Sequence, residues 1–288
     1  MPELFDTGTE MKITAIAPWF GGKRNLAPEI VRELGRHSVY WEPFCGSMAV
    51  LLDKPQCQSE TVNDLNGDVT NLARVIASND GPALFERLSR TMFAEALVGE
   101  AKERRREGGL SELDAAYWFF VESWMGRNGV AGTRASNTAF CVRYTSNGGD
   151  PAVRFKSAVA SIPAWAHRLT GVTVLTRNGF EILGRIEDKS GTVIYCDPPY
   201  FAKGAKYVHD FEAADHERLA SLLRRFTKTR VVVSYYDHPR LAELYPAPKW
   251  TVARLKATKA MVNQGMRDKK GATDALEVLI INGPSYAR

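Results

Sequence analysis

The sequence predicts an α/β protein: a doubly wound, mostly parallel sheet with an antiparallel edge, interrupted once by a helical insert. Three observations carry this expectation. Short apolar runs ending in turn residues alternate with helical spacing in both halves of the chain, strand signals vanish between about residue 69 and residue 167, and two apolar runs close the chain. The expected division is discontinuous, with residues 1–68 and 168–288 forming the sheet domain and 69–167 the insert.

Bulk properties suit such a chain. Its 288 residues, 44% hydrophobic and 25% charged, suffice for one large domain or for a domain with a sizeable insertion. No apolar run approaches the roughly 18 residues of a membrane-spanning helix. Met1 to Glu10 is polar and acidic with no signal-peptide core, so a cytoplasmic location and no membrane partner are expected. The formal charge of +5 fits a polyanionic partner without requiring one. Cys45, Cys57, Cys141 and Cys196 form no C-x-x-C pair, and the five histidines fall in no H-x-E or H-E-x-x-H string. Neither a disulfide framework nor a metal site is expected.

Taken in order, Ala15 to Leu26 holds the aromatic pair Trp19-Phe20, a Gly21-Gly22 turn, and then Lys23 and Arg24 opening a helix. Pro28 near its start and Gly35 at its end bound that helix. The two rings read equally as core residues or, with Lys23, as a ligand loop. Val39 to Glu42 reads as a strand, Pro43-Phe44-Cys45-Gly46-Ser47 as a tight turn, and Met48 to Leu52 as the helix after it. Gly46 and Ser47 stand where a helix begins, a position that favours anionic or polar ligand groups. With one glycine the turn lacks the G-x-G-x-x-G dinucleotide signature, which disfavours a nicotinamide-dependent oxidoreductase. Glu60 to Leu65 is a second strand leading into Asn66. Asp64 falls about 20 residues beyond the first turn, where a nucleotide-binding βαβ unit places its ribose-binding carboxylate. A polar strand end is the plainer alternative.

Helical spacing dominates the insert, over Asn71 to Ser78, Pro82 to Arg90, Phe93 to Arg106 and Ser111 to Met125. The run Lys102 to Arg106 reads as a solvated helix face. Beyond Gly126 the chain is rich in Gly, Ser, Thr, Asn and Arg as far as Asp150. Arg127, Arg134, Arg143 and, just beyond, Arg154 are interleaved with Asn128, Asn137, Phe140 and Tyr144. Such a stretch buries no core of its own and is expected as a hairpin or an extended loop. Arg and Asn are also the residues that read guanine and adenine edges.

The α/β pattern resumes at Val172 to Leu175, and Asn178-Gly179-Phe180 starts a helix through Ile186. Val193 to Cys196 reads as a buried strand that Pro198 and Pro199 stop abruptly. Neither proline has an N–H, and each pushes the residue before it out of helical geometry. Asp197 therefore ends a strand on stiff backbone with free carbonyls, and Tyr200 follows. In open α/β sheets that edge is where ligands bind. A carboxylate, carbonyls and a π-face together suit a flat heterocycle bearing an amino group; an ordinary strand end with a Pro-Pro turn is the alternative. A basic loop with Lys203, Lys206 and Tyr207 comes next, then a helix from Asp215 to Phe226 with Asp215 as its cap. Arg230 to Tyr236 is a strongly apolar strand, and Lys249 to Lys256 and Ala275 to Asn282 are the closing pair.

Four motifs thus stand in order: W-F-G-G-K (Trp19 to Lys23), E-P-F-C-G-S (Glu42 to Ser47), N-D-L-N (Asn63 to Asn66) and Y-C-D-P-P-Y (Tyr195 to Tyr200). With a long insertion between the third and fourth, they resemble the Dam-type (D12 class, alpha group) adenine-specific DNA methyltransferases over most of the catalytic framework. The resemblance implies a Rossmann-like methyltransferase sheet with a target-recognition insert. It implies S-adenosylmethionine as methyl donor, no metal, and double-stranded DNA as substrate, with the target adenine flipped out. It puts Trp19, Lys23, Pro43, Phe44, Gly46, Asp64, Phe180 and Asp197 at the cofactor, with Asp64 on the ribose hydroxyls. Catalysis falls to Asp197, Pro198, Pro199 and Tyr200. Asp197 and the Pro198 carbonyl accept the two N–H groups of the adenine amine, and Tyr200 stacks on the flipped ring. DNA contacts fall to Arg127, Asn128, Gly129, Arg134, Phe140 and Arg143, with phosphate contacts from Lys256 to Lys270. The first turn departs from the family's F-x-G-x-G pattern, since Ser47-Met48 follow Gly46. The longer spacing from Asn128-Gly129 to the next Arg keeps GATC specificity from being carried over.

A monomer in solution is expected, with a cognate restriction endonuclease as an optional partner in a restriction-modification role. Other readings stay open: methylation of cytosine N4 or of RNA adenine, and a catalytically inactive DNA-binding relative. The intact Asp197 and Tyr200 weigh against the last.

Overall fold

The computed structural model describes residues 11–126, 139–144, 149–201, 211–255 and 276–286. In chain order the elements are α1 (Ala27–Leu34), β1 (Val39–Glu42), α2 (Ala49–Asp53), β2 (Ser59–Asn63), α3 (Gly67–Ile76), α4 (Gly81–Ser89), α5 (Glu95–Glu107), α6 (Glu112–Met125) and α7 (Pro151–Leu169). They continue with β3 (Val172–Leu175), α8 (Gly179–Arg185), β4 (Thr192–Cys196), α9 (Ala213–Leu223), β5 (Arg230–Tyr236), α10 (Arg240–Leu244), β6 (Trp250–Arg254) and β7 (Glu277–Asn282).

Among the described residues the strands form one seven-stranded sheet in the order β3-β2-β1-β4-β5-β7-β6. The pairs from β3 across to β5 are parallel. β7 runs antiparallel to β5, and β6 antiparallel to β7. This is the mostly parallel sheet with an antiparallel edge that the alternation of patterns predicts. Side chains alternate across it with the period of two that a strand imposes. Val193 and Tyr195 of β4 join one core, and Ile194 and Cys196 join the other. With both faces covered, β4 is buried at every residue, which is why it reads as an unbroken apolar run.

Helix ends follow their sequence signals. Pro28 lies in the first turn of α1 and Gly35 ends it at φ +66°, a left-handed value that favours glycine. Ser111 caps α6 by accepting from the Asp114 N–H at 3.1 Å. For α9 the expected cap is corrected: the N-cap is Glu212, and Asp215, three residues on, reaches back to the Glu212 N–H at 2.9 Å. Two helices go beyond the sequence reading. α10 is a five-residue turn of helix. α7 is 19 residues long and carries Pro163 in its interior, a breaker that conceals the helical pattern around it. Asp150 caps it, accepting from the Ala152 N–H at 2.8 Å. The edges of the 69–167 division fall inside α3 and α7. No described helix is long and apolar enough to cross a membrane.

Helices α6 and α7 also secure the chain that leads into the first motif. Trp165 of α7 donates its indole N–H to the Ile13 carbonyl at 2.7 Å, and Trp124 of α6 donates to the Ile16 carbonyl at 3.1 Å. The Ile16 N–H bonds the Ser47 carbonyl at 3.1 Å. These two helices thus fix the approach to Trp19 and Lys23.

Candidate active site

Three strand ends are stitched together at the carboxyl edge by one side chain. Asn63, at the end of β2, donates to the Pro43 and Arg177 carbonyls, both at 2.9 Å, and accepts from the Arg177 N–H at 2.8 Å. The amide therefore ties together the turns after β1, β2 and β3, whose free backbone groups would otherwise lack partners. Asp64, next in sequence, accepts from the Gly46 N–H at 2.8 Å and from the Asn66 N–H at 2.9 Å. Gly46 has φ +44°, and a Cβ there would lie 2.7 Å from the Trp19 indole nitrogen, so the turn and the ring require glycine. Met48, where the family pattern has its second glycine, is fully buried and held left-handed at φ +60°.

These turns border a cavity of about 430 Å³, within the usual size of a small-molecule site. Trp19, Lys23, Pro43, Phe44, Gly46, Asp64, Phe180 and Asp197, the eight positions expected at the cofactor, all line it. Glu42, Asn63, Phe211 and Asp215 line it as well, and sequence reasoning did not single them out as site residues. Phe44 meets Phe180 and Phe211 edge-on at 6.5 and 5.6 Å, while Phe180 and Phe211 stack at 5.3 Å. Glu42 accepts from the Tyr40 hydroxyl at 2.8 Å. Burial pushes its carboxyl up to about 8, against the Tyr40 hydrogen bond and with help from the nearby Asp197. A charged residue closing the strand V-Y-W-E was the available signal for it.

Asp197 stands just past β4 on the cavity wall. Its Oδ2 lies 2.9 Å from Lys23 Nζ, and its Oδ1 accepts from the Tyr200 hydroxyl at 3.0 Å. Burial raises its carboxyl above the ordinary range although Lys23 and Tyr200 oppose the shift. For Lys23, burial pulls the ammonium down, but the Asp197 and Glu277 carboxylates outweigh it and the net shift is upward. Pro199 lines the cavity and Pro198 is buried. The Tyr200 ring packs edge-on against Tyr236 at 4.7 Å, with Lys23 Nζ 5.0 Å from its centre. Cys196 is buried, and burial raises its thiol, so it offers no thiolate nucleophile. Among the described residues no cluster of His, Cys, Asp and Glu is placed to hold a metal ion.

Of the expected DNA contacts, Arg143 is exposed beside the exposed Val142 and Tyr144. Phe140 is half-buried, its ring 4.9 Å from Phe93 and its backbone bridged to Gly126 at the end of α6. Arg127, Asn128, Gly129 and Arg134 lie outside the described residues, as do Lys203, Lys206, Tyr207 and the Lys256 to Lys270 segment.

Comparison with known proteins bears on this site. The model of the D12 class N6 adenine-specific DNA methyltransferase family matches residues 19–104 and 142–263, well over half of the chain. The retron Ec67 DNA adenine methylase of Escherichia coli is 28% identical over 279 residues, covering 92% of this chain and 91% of that protein. The DNA adenine methylase of Vibrio cholerae is 25% identical over 261 residues, 86% of this chain and 90% of its own. That of Salmonella typhi is 24% identical over 275 residues, with 90% and 93% covered.

Proposed function

The chain belongs to the D12 class of N6 adenine-specific DNA methyltransferases, and on that premise we propose how its residues divide the work. The observation that carries the reading is Asp197: a carboxylate at the carboxyl end of β4, on the wall of the cavity that the other strand-end turns enclose.

The cavity's chemistry fits S-adenosylmethionine. The rings of Phe44, Phe180 and Phe211 suit a flat heteroaromatic group, and the carboxylates of Asp64 and Asp197 suit a ligand bearing positive charge. In this assignment Trp19, Lys23, Pro43, Phe44, Gly46, Asp64 and Phe180 hold the cofactor, with Asp64 on the ribose hydroxyls. Bound there, S-adenosylmethionine supplies the methyl group as an activated sulfonium methyl.

The acceptor is the weak partner in this reaction, because the adenine amine's lone pair is delocalised into its ring. Asp197 and the Pro198 carbonyl accept the amine's two N–H groups, which favours a pyramidal nitrogen with its lone pair directed at the methyl group. Tyr200 supplies the face on which the base rests, stacking worth about 1–3 kcal/mol. An adenine inside a duplex cannot reach a carboxylate on a cavity wall, so the target base is flipped out of the stack. The protein contributes chiefly positioning, and no covalent enzyme intermediate is needed. The insert, residues 69–167, reads the duplex: Arg143 contacts it together with Arg127, Asn128, Gly129 and Arg134, and Phe140 anchors that stretch to the helices. The chain acts as a monomer.

Incubating duplex DNA with methyl-labelled S-adenosylmethionine and digesting it to nucleosides tests this. Label in N6-methyladenine is expected. Label confined to N4-methylcytosine, or no incorporation in any sequence context, overturns it. Arg143→Ala should relax the sequence preference of methylation, and an unchanged preference removes Arg143 from the reading surface.

A further inference from the structure

We propose that Glu277 is a positioning residue that takes the Lys23 ammonium away from Asp197 when Asp197 accepts the adenine amine. The proposal rests on the role assigned to Asp197 above. Topology brings Glu277 there. β7 runs antiparallel, so it enters the sheet at the edge where β4 and β5 leave it, and Glu277 stands opposite Tyr236 in the register. Lys23 Nζ is 2.9 Å from Asp197 Oδ2 and 3.9 Å from Glu277 Oε1. An ammonium has three N–H donors. One goes to the Gly21 carbonyl at 2.6 Å and one to Asp197, while the nearest carboxylate for the third is Glu277, just beyond hydrogen-bond length.

Glu277 is itself incomplete. Its Oε2 is buried and has no hydrogen-bond partner among the described residues. Among the described residues the other titratable groups around it are Tyr195, Tyr200 and Tyr236, and burial raises each phenol, so none of these supplies the missing charge. On the neighbouring β6, Arg254 is engaged with Asp237 at 3.5 Å. Lys23 is thus the one cation within salt-bridge reach of Glu277 among the described residues, and Asp197 holds it.

The reaction gives this arrangement a use. While Lys23 sits on Asp197, it screens the charge that should polarise the adenine N–H groups. A shift of Lys23 onto Glu277 leaves Asp197 fully anionic and facing the amine. As the N6 lone pair forms the bond to the methyl carbon, the old carbon–sulfur pair stays on sulfur and positive charge appears on the base. A proton then leaves N6 for Asp197, its N–H bonding pair remaining on nitrogen. The cluster passes from two carboxylates and one ammonium to one neutral acid with no ion-pair partner and one Lys23–Glu277 ion pair.

Single-turnover methylation of unmethylated plasmid DNA, calorimetric S-adenosylmethionine binding and thermal unfolding of the free protein test this on the full chain. Glu277→Gln should lower the methylation rate by about tenfold to a hundredfold while the cofactor affinity stays within about twofold. Glu277→Asp, which restores the charge, should recover part of the rate. In a Lys23→Met background Glu277→Gln should cost little more, since the two act through one contact. In the free protein Glu277→Gln should raise the unfolding midpoint, because a buried charge that shares its one counter-ion with Asp197 is removed. A wild-type rate for Glu277→Gln overturns the proposal, and so does a full-sized loss in the Lys23→Met background. A lowered midpoint overturns it too, making Glu277 a structural anchor. Asp197→Asn at the wild-type rate removes the Asp197 assignment itself, an outcome distinct from failure of Glu277 alone.

Discussion

At the amino edge of the sheet one carboxylate faces two cations, whereas at the carboxyl edge two carboxylates face one cation. Glu60, near the start of β2, is paired with Lys54 and accepts from both terminal guanidinium nitrogens of Arg168, at 2.5 and 2.9 Å. Burial alone would push the Glu60 carboxyl up, but the hydrogen bonds from Arg168 and Lys54 outweigh it and hold the group below its ordinary value. At the other edge Asp197 and Glu277 share Lys23, and burial raises both carboxyls. Both clusters set acidic side chains against basic ones, Glu60 almost wholly buried and Asp197 and Glu277 less deeply so. What differs is the balance of charge. In the amino-edge cluster the carboxylate's charge is fully countered and Arg168 anchors α7 to the sheet, while the carboxyl-edge cluster keeps an excess of negative charge poised against a cavity. Perturbed carboxylates next to a cleft are what catalysis needs and what stability resists.

The contrast is open to test, and the largest effect should come from Asp197. Replacing it with Ala is expected to cut methyl transfer by about a thousandfold or more, with the unfolding midpoint held or raised and much of the DNA affinity intact. Near-normal turnover of labelled methyl groups into DNA would remove the difference between the edges. At the amino edge Glu60→Ala should leave the rate per folded molecule unchanged but cost about 3–5 kcal/mol in denaturant unfolding, the usual effect of breaking a buried ion pair. A loss below about 1 kcal/mol, the range of exposed pairs, would show that the cluster is not an anchor.

The third test is stability against pH. Glu42 binds a proton more tightly folded, at about 8, than at the ordinary 4.5, so the native state holds more protons between those values. Its contribution therefore falls as pH rises through that window. Glu42→Gln should flatten this decline and gain up to about 4 kcal/mol at pH 8. Glu60 has the opposite sign: its stabilisation is present above the ordinary carboxyl value and is lost as pH falls through its lowered one. Parallel pH profiles for wild type and Glu42→Gln would break the comparison.

The smallest expected effect concerns Met48, left-handed and buried in the first turn. Glycine would relieve about 1–2 kcal/mol of backbone strain but forfeit a buried side chain worth about 2–5 kcal/mol. Met48→Gly should therefore lose stability in urea unfolding, and a gain would show that strain dominates at this edge.

Much of this molecule was readable in its residues. β5 matches the run Arg230 to Tyr236, and Gly35 marks the end of α1 as its conformational freedom suggests. The strand-end motifs were legible because turn chemistry is local: Pro43, Gly46 and the prolines after Asp197 constrain backbone whatever the rest of the chain does. α7 was not legible, because Pro163 interrupts its pattern, and the helix packs against α3, α4 and α6. Phe211 and Glu277 gave no local signal either. A phenylalanine before an acidic helix start and a glutamate opening an apolar strand look like ordinary chain.

By itself the sequence determined the order of the strands and of most helices, the antiparallel edge and the residues available for chemistry, because hydrophobic period and turn geometry are short-range properties. Tertiary structure alone decided which charges share a partner. Lys23, Asp197 and Glu277 are distant along the chain, and an ion pair depends on separations of a few ångströms that the antiparallel entry of β7 sets.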